Sequence, residues 1–123
     1  LAEKPNFVSA AREILRWGPS SIVAKQGKYG AALFTNEGYF ALPAYPHEHV
    51  VDPTGAGDSF AGGLMGYLAS KGDISAQSLK EAMAYGILVA SYNVEDFSLE
   101  QMKRISRSDI DFRMERYRRM LAF

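Results

Sequence analysis

The segment VVDPTGAGDSFAGGLMGYLA, residues 50–69, constrains the fold most because its hydrophobic periodicity changes part-way along. It begins at the end of the extended run HEHVV, residues 47–51, and Pro53 then ends that strand because proline has no N–H to donate to a ladder. From Gly55 onward the spacing of the apolar residues is helical. The positions that share one predicted helix face are Phe60, Ala61, Leu64, Met65 and Leu68.

The rest of the chain alternates between helical and extended patterns. A first helix, which Asn6 can cap and Gly18 can end, precedes three strands, SSIVAKQ, AALFT and YFALPAY, joined by the turns GKYG and NEG. A second long helix and two further helical stretches, separated by the loop NVEDFS, follow the glycine-rich segment. The order of one helix, four strands and then helices predicts a mixed α/β fold with hairpin strands at a sheet edge.

Length, charge and cysteine content exclude several classes of protein. A chain of 123 residues is one domain or part of a larger one, and its net charge of +0 gives no bulk attraction to nucleic acid or an anionic membrane. The absence of cysteine excludes disulfides, and no apolar run approaches the ~18 residues of a membrane span. The start LAEKPNFVSA has neither an initiator Met nor a signal-peptide pattern, so we expect a C-terminal piece of a longer, cytoplasmic protein.

The glycine-rich turn predicts an anion site. The first N–H groups of a helix have no internal partners, and the helix dipole adds positive potential at the same place. Gly55, Ala56 and Gly57 would let a phosphate approach the backbone closely. The segment lacks the Lys-Ser/Thr pair of a Walker A loop and is not G-x-G-x-x-G, so backbone N–H groups would hold the phosphate.

Asp58 places a carboxylate beside this predicted cradle, where a phosphate would repel it. An attractive explanation is that Asp58 accepts the proton of a hydroxyl that attacks phosphorus. The structural alternative is that Asp58 only caps the helix and that the glycines only pack against a neighbour. The ordered succession of strand, proline, glycine turn, Asp58 and apolar helix favours the catalytic interpretation.

Residues 52–65, DPTGAGDSFAGGLM, resemble the C-terminal signature of the ribokinase (PfkB-type) family of carbohydrate and nucleoside kinases. VAKQGKYGAALFTNEG and AMAYGILVASYNVEDFS are similar to the family's segments beside the nucleotide. The resemblance implies a ribokinase-like α/β fold, with residues 1–123 as the C-terminal, ATP-binding and catalytic portion of a single three-layer α/β/α domain with edge β-hairpins. The N-terminal half and the lid would lie upstream of Leu1.

The resemblance also implies roles for single residues. Asp58 matches the catalytic base, and Asp52 and Thr54 match positions that hold a monovalent cation such as K⁺. The positions that match the anion hole are Gly55, Ala56, Gly57 and Asp58; those near ATP are Lys25, Gly27, Gly30, Gly57 and Tyr85. For Lys25, an exposed lysine at a strand end is an equally weighted interpretation.

The family motif Asn-x-x-Glu, which organises Mg²⁺, is absent, because Glu3 and Asn6 stand in the wrong order. We therefore expect the Mg²⁺ residues to lie outside this chain. Two functions remain open: an ATP-dependent phosphotransferase acting on a hydroxyl of a sugar or nucleoside, and a non-catalytic nucleotide-binding or regulatory module. Asp58 favours the first; the missing Mg²⁺ motif favours the second for the chain alone. We expect the chain alone to be inactive and to expose apolar surface that a longer parent chain or a homodimer would cover.

Three other features favour structural interpretations. His47 and His49 alternate like two metal ligands, but exposed polar residues on an edge strand are the favoured interpretation because no third ligand is suitably spaced. The basic stretch from Lys103 to Arg119 favours a solvated amphipathic helix over a nucleic-acid site. Ser98, with a glutamine three residues later, predicts a capping box.

Overall fold

The computed structural model describes residues 7–26, 29–46, 56–95 and 106–122. The chain divides into two compact units, Leu1–Pro43 and Ala44–Phe123. Both helices and strands occur, as the apolar periodicity predicts.

The first unit begins with helix α1, Phe7–Leu15. Its apolar side carries the buried Ala11 and, around it, Val8 and Leu15, which pack against Phe34 of the adjoining sheet. The helix ends in a turn in which the Gly18 N–H donates to the Leu15 carbonyl at 3.2 Å, and Gly18 adopts a φ of +131°. The predicted end of this helix at Gly18 is confirmed, and the turn leaves Trp17 57% exposed.

Three strands, β1 (Ser21–Lys25), β2 (Ala31–Thr35) and β3 (Gly38–Leu42), form an antiparallel sheet in the order β1-β2-β3. The register places Leu33 opposite both Val23 and Phe40. β2 is central, and its first four residues are buried. The two predicted hairpins are therefore present.

β3 is shorter than predicted. The sequence pattern extends it to Tyr45, whereas the strand ends at Leu42. The next residue is Pro43, which cannot donate a ladder hydrogen bond, and this accounts for the end of the pairing. The fourth predicted strand, residues 47–51, lies outside the described residues.

The second unit contains α2 (Ala56–Lys71), α3 (Ala76–Glu95) and α4 (Arg107–Leu121). α2 and α3 run antiparallel, because Phe60 lies against Gly86 whereas Tyr67, further along α2, donates a 2.8 Å hydrogen bond to Glu81, earlier in α3. Both helices contribute to the core, in which the buried apolar residues are Phe60, Leu64, Ala82, Met83, Ile87, Leu88 and Ala90.

Two details of these helices differ from prediction. Ala61 and Met65 belong to the predicted apolar face of α2 but are exposed, Met65 by 61%. The side of α2 that meets α3 includes Gly63, which counts as non-apolar in a hydrophobic pattern yet permits close contact. α3 also continues to Glu95, into the segment predicted as a loop. The predicted capping box at Ser98 and the helical stretch that follows it lie outside the described residues.

α4 is the amphipathic helix predicted for the basic stretch. It begins with a capping box in which Ser106 and Asp109 each accept from the other's backbone N–H, at 3.2 and 2.9 Å. Tyr117 is buried, and Arg113 donates to the Ser91 hydroxyl of α3 at 2.8 Å. No helix in the described parts of the chain is long and apolar enough to cross a membrane.

Candidate anion-binding and catalytic site

Asp58 lies in the first turn of α2 and is exposed. Phe60, two residues later, is 5% exposed and lies against α3. Two residues correspond to about 200° around an α-helix, so Asp58 is on the side of α2 opposite to α3. A carboxylate at this place is accessible to a ligand at the helix N-terminus.

Gly57 adjoins Asp58 and is also exposed. A Cβ atom at Gly57 would meet nothing within 4 Å among the described residues, and the residue is part of the regular helix α2. Neither packing nor an unusual dihedral angle therefore requires glycine at this position. A glycine at this exposed position is compatible with the close approach of a ligand to the backbone.

The backbone at this end of α2 offers donors that have no acceptor within the helix. The first N–H groups of an α-helix have no acceptor within the helix, and in α2 these belong to the turn that begins with Ala56 and contains Gly57 and Asp58. They point out of the end of a 16-residue helix, where the dipole favours an anion. The geometry of the described part of the predicted anion hole is thus compatible with phosphate binding.

Two other glycines are explained by packing. A Cβ atom at Gly63 would lie 3.0 Å from both Gly86 Cα and Val89 Cγ2, and one at Gly86 would lie 2.7 Å from the Phe60 carbonyl oxygen. These glycines let α2 and α3 approach each other closely. The packing alternative for the glycine-rich segment is correct at Gly63, but it does not account for Gly57.

Tyr85, predicted near the adenine, is half-buried among protein groups. Its ring centroid lies 5.2 Å from that of Tyr67, and the Arg107 Cζ lies 5.4 Å from the ring. Burial raises the pKa of the Tyr85 hydroxyl. Tyr67, whose ring Tyr85 contacts, is nine residues beyond Asp58, about 13 Å along the axis of α2. The contact with Arg107 was not predicted.

The predicted nucleotide residues of the first unit lie around the β1–β2 turn. Lys25 ends β1, and partial burial lowers the pKa of its ammonium group. Gly30 is buried with a φ of +104°, a conformation that favours glycine, and its carbonyl accepts from the Gln26 N–H at 2.8 Å. The other predicted site residues, Gly27, Asp52, Thr54 and Gly55, lie outside the described residues.

The first unit also has a groove of about 450 Å³ between α1 and the β2–β3 turn, which sequence reasoning did not predict. Its lining includes Arg12, Arg16, Glu37 and the stacked rings of Phe34 and Tyr39. Lys25 and Gly30 do not line it. Two of its charged residues are arginines and one is a glutamate. Within the described ranges no cluster of three His, Cys, Asp or Glu residues could hold a metal ion, and His47 and His49 fall outside those ranges.

The ribokinase resemblance rests on the signature of residues 52–65 and the two segments that flank it, and the structure places Asp58 of that signature at an exposed helix start. The model of the pfkB family of carbohydrate kinases matches residues 2–103. The chain belongs to this family.

Curated relatives are kinases of nucleosides and sugars. The chain is 46% identical over 63 residues to cytidine kinase of Thermococcus kodakarensis, a match that covers 47% of this chain and 22% of that protein. It is 33% identical over 86 residues to deoxyribokinase of Salmonella typhi, covering 70% of this chain and 26% of that protein. The chain thus spans about a quarter of the length of these relatives.

Solved structures show the same fold. Aminoimidazole riboside kinase from Salmonella enterica, complexed with aminoimidazole riboside and an ATP analogue, superposes with a TM-score of 0.77 at 27% identity, covering 93% of this chain and 38% of that one. Burkholderia thailandensis nucleoside kinase in complex with inosine gives a TM-score of 0.62 at 30% identity, covering 80% of this chain and 30% of that one. The fold is ribokinase-like, as the sequence resemblance implies.

Proposed function

We propose that the protein containing this chain is an ATP-dependent phosphotransferase that phosphorylates a hydroxyl of a sugar or nucleoside. The observation that carries the proposal is the exposed Asp58 in the first turn of α2, beside Gly57, whose surroundings are open among the described residues. The family match and the kinases among its relatives support the same reaction class.

Asp58 is the general base in this proposal. Its carboxylate takes the proton of the acceptor hydroxyl as that oxygen bonds to the γ-phosphorus of ATP, while the bond from phosphorus to the ADP oxygen breaks. The N–H groups of Gly55, Ala56, Gly57 and Asp58 stabilise the negative charge on the transferring phosphoryl group. Asp58 does not need to leave its position for this step, because it occupies the helix end that holds the anion.

The other assignments concern the nucleotide and ions. Residues 1–123 would form the C-terminal portion of one ribokinase-like domain, in which Lys25, Gly27, Gly30 and Tyr85 lie along ATP. Asp52 and Thr54 would help to hold K⁺ beside the anion hole. Bound Mg²⁺ would neutralise the phosphates, and its ligands would come from a part of the protein outside this chain.

The proposal is tested by assaying the full-length protein for ADP formation with ATP, Mg²⁺ and a panel of sugars and nucleosides. We expect ADP formation that depends on one class of acceptor and a higher rate in K⁺ than in tetramethylammonium at equal ionic strength. ATP binding, seen as a thermal shift, without ADP formation for any acceptor would contradict the catalytic proposal and support a nucleotide-binding module. Equal rates in both salts would contradict the K⁺ assignment alone.

A further inference from the structure

Gly86 of α3 lies directly against the backbone of α2. A Cβ atom on Gly86 would lie 2.7 Å from the Phe60 carbonyl oxygen and 3.0 Å from Cδ1 of the Phe60 ring. The carbonyl oxygen is a backbone atom, which cannot rotate away as the end of a side chain can. Any side chain at Gly86 must therefore move α2, α3 or both, because ordinary contact begins at 3.4 Å.

This contact lies next to the turn that carries the proposed base. Phe60 follows Asp58 by two residues, about 3 Å along the helix axis. Phe60 is 5% exposed, whereas Asp58 is exposed on the opposite side of the helix. A displacement of the Phe60 backbone therefore displaces the Asp58 carboxylate and the N–H groups around it.

We propose that Gly86 is a positioning residue for Asp58. By lacking a side chain it lets α3 support the first turns of α2 through backbone contact, and this support fixes where the carboxylate meets the acceptor hydroxyl. Gly86 acts through Phe60 and touches no substrate. The inference rests on the proposed function.

The expected effect follows from the tolerance of catalytic geometry. The Cβ-to-oxygen distance would have to increase from 2.7 to at least 3.0 Å in a Gly86→Ala variant, and to 3.4 Å for ordinary contact. A misplacement of about 1 Å can lower a rate roughly 10²-fold. We expect Gly86→Ala to lower kcat by about 10- to 100-fold and to change the KM for ATP and acceptor much less.

The chain provides matched controls with the same chemical change. Among the described residues a Cβ atom at Gly66 would meet nothing within 4 Å, so Gly66→Ala adds a methyl group to α2 without a steric conflict there. A Cβ atom at Gly63 would lie 3.0 Å from Val89 Cγ2 and from Gly86 Cα, so Gly63→Ala crowds the same interface further from Asp58. Alanine favours a helix over glycine at all three positions, so helix propensity cannot explain a loss.

The experiment measures kcat, both KM values and the melting temperature of the full-length wild type and the three variants, well below each melting temperature. A kcat loss confined to Gly86→Ala supports the inference. It would be overturned if Gly86→Ala and Gly66→Ala had equal kcat, or if Gly63→Ala lost as much kcat as Gly86→Ala.

Two further measurements keep the inference testable. If the wild type transfers no phosphoryl group, the proposed function fails. Amide hydrogen exchange at Phe60 and Ala61 then tests the positioning role of Gly86. Faster exchange in Gly86→Ala alone supports that role, and unchanged exchange overturns it. If Gly86→Ala does not fold, Phe60→Leu retains the backbone contact while changing the ring. The inference then predicts near-wild-type kcat despite a lower melting temperature, and a 10-fold kcat loss contradicts it.

Discussion

The two sides of α2 follow different rules. On the side that faces α3, Phe60 and Leu64 are buried and Gly63 is in close contact with the neighbouring helix. On the other side, Asp58 and Met65 are exposed. Two further glycines, Gly62 and Gly66, are exposed as well, and a Cβ atom at either would meet no described residue within 4 Å.

The difference between the two sides of α2 separates residues that the packing of the helices requires from residues that this packing does not require. On the side of α2 that faces α3, contacts with α3 explain why Gly63 is small and why Phe60 and Leu64 are apolar. On the opposite side, contacts among the described residues do not explain the small residues. We infer that the first side serves the stability of the helical pair, and that its opposite at the N-terminal end serves ligand binding. Substitutions on the two sides should therefore affect different measurements.

The largest expected effect is on catalysis. Asp58→Asn in the full-length protein should lower kcat by ~10²–10⁴-fold, the usual contribution of a positioned acid–base group, with little change in the KM for ATP or in melting temperature. Asp111→Asn, the same change at an exposed position of α4, serves as the control. Steady-state kinetics with near-wild-type turnover for Asp58→Asn would remove the proposed base.

The free energy of unfolding should change most when residues on the α3-facing side of α2 are substituted. Leu64→Ala leaves a cavity at a residue that is 8% exposed, so we expect it to lower the free energy of unfolding by about 2–5 kcal/mol. Met65→Ala, at the adjacent position with 61% exposure, should change it by less than about 0.5 kcal/mol. Urea denaturation measures both values. Similar losses in the two variants would show that Met65 is covered by another part of the full-length protein.

ATP binding should be affected at Gly57. Gly57→Val adds a branched side chain where no described residue is in the way, but where a phosphate would approach the backbone. We expect ATP affinity to fall by about 10-fold, roughly 1.4 kcal/mol of binding free energy, with little change in stability because glycine is an even poorer helix former than valine. Isothermal titration calorimetry tests this, and unchanged affinity would contradict the phosphate cradle.

The smallest expected effect concerns pH. The hydrogen bond from Tyr67 of α2 holds the pKa of Glu81 in α3 below its ordinary value of 4.5. A carboxyl with a lowered folded-state pKa contributes stability above its ordinary pKa and loses that contribution as the pH falls further. Tyr67→Phe should therefore destabilise the protein slightly at neutral pH, and the difference from wild type should shrink below pH 4.5. A difference in melting temperature that is constant with pH would contradict this coupling.

Local signals were sufficient to predict much of the fold. The strand AALFT coincides with β2, Ala31–Thr35, because glycines and turn residues flank an apolar run on both sides. The end of α1 near Gly18 follows from the backbone freedom of glycine, which allows the positive φ of this turn. The exposure of Met65 could not be predicted, because a hydrophobic pattern does not indicate that Gly63 lies in the interface between two helices.

The candidate site likewise contains features that local sequence signals predict and features that depend on contacts between helices. The place of Asp58 in the first turn of a helix follows from consecutive residues, so the sequence was enough to predict it. The contact of Arg107 with the Tyr85 ring joins two helices whose packing no local pattern specifies. Nor could the motif show that Gly86 supports Phe60, because that contact depends on the distance between two helix backbones.

The exposed position of Trp17 in the turn after α1 has a practical consequence. It is the only tryptophan of the chain, so selectively excited fluorescence originates entirely in the first unit. In the second unit, rings are held against cations and against each other, as with Arg113 3.7 Å from the Tyr92 ring centroid, and such fixed tyrosines contribute to near-ultraviolet circular dichroism. Tryptophan fluorescence therefore reports on the first unit alone, whereas near-ultraviolet circular dichroism includes the second. Denaturant titrations followed by both would show whether the hairpin sheet and the helices unfold in one transition or two.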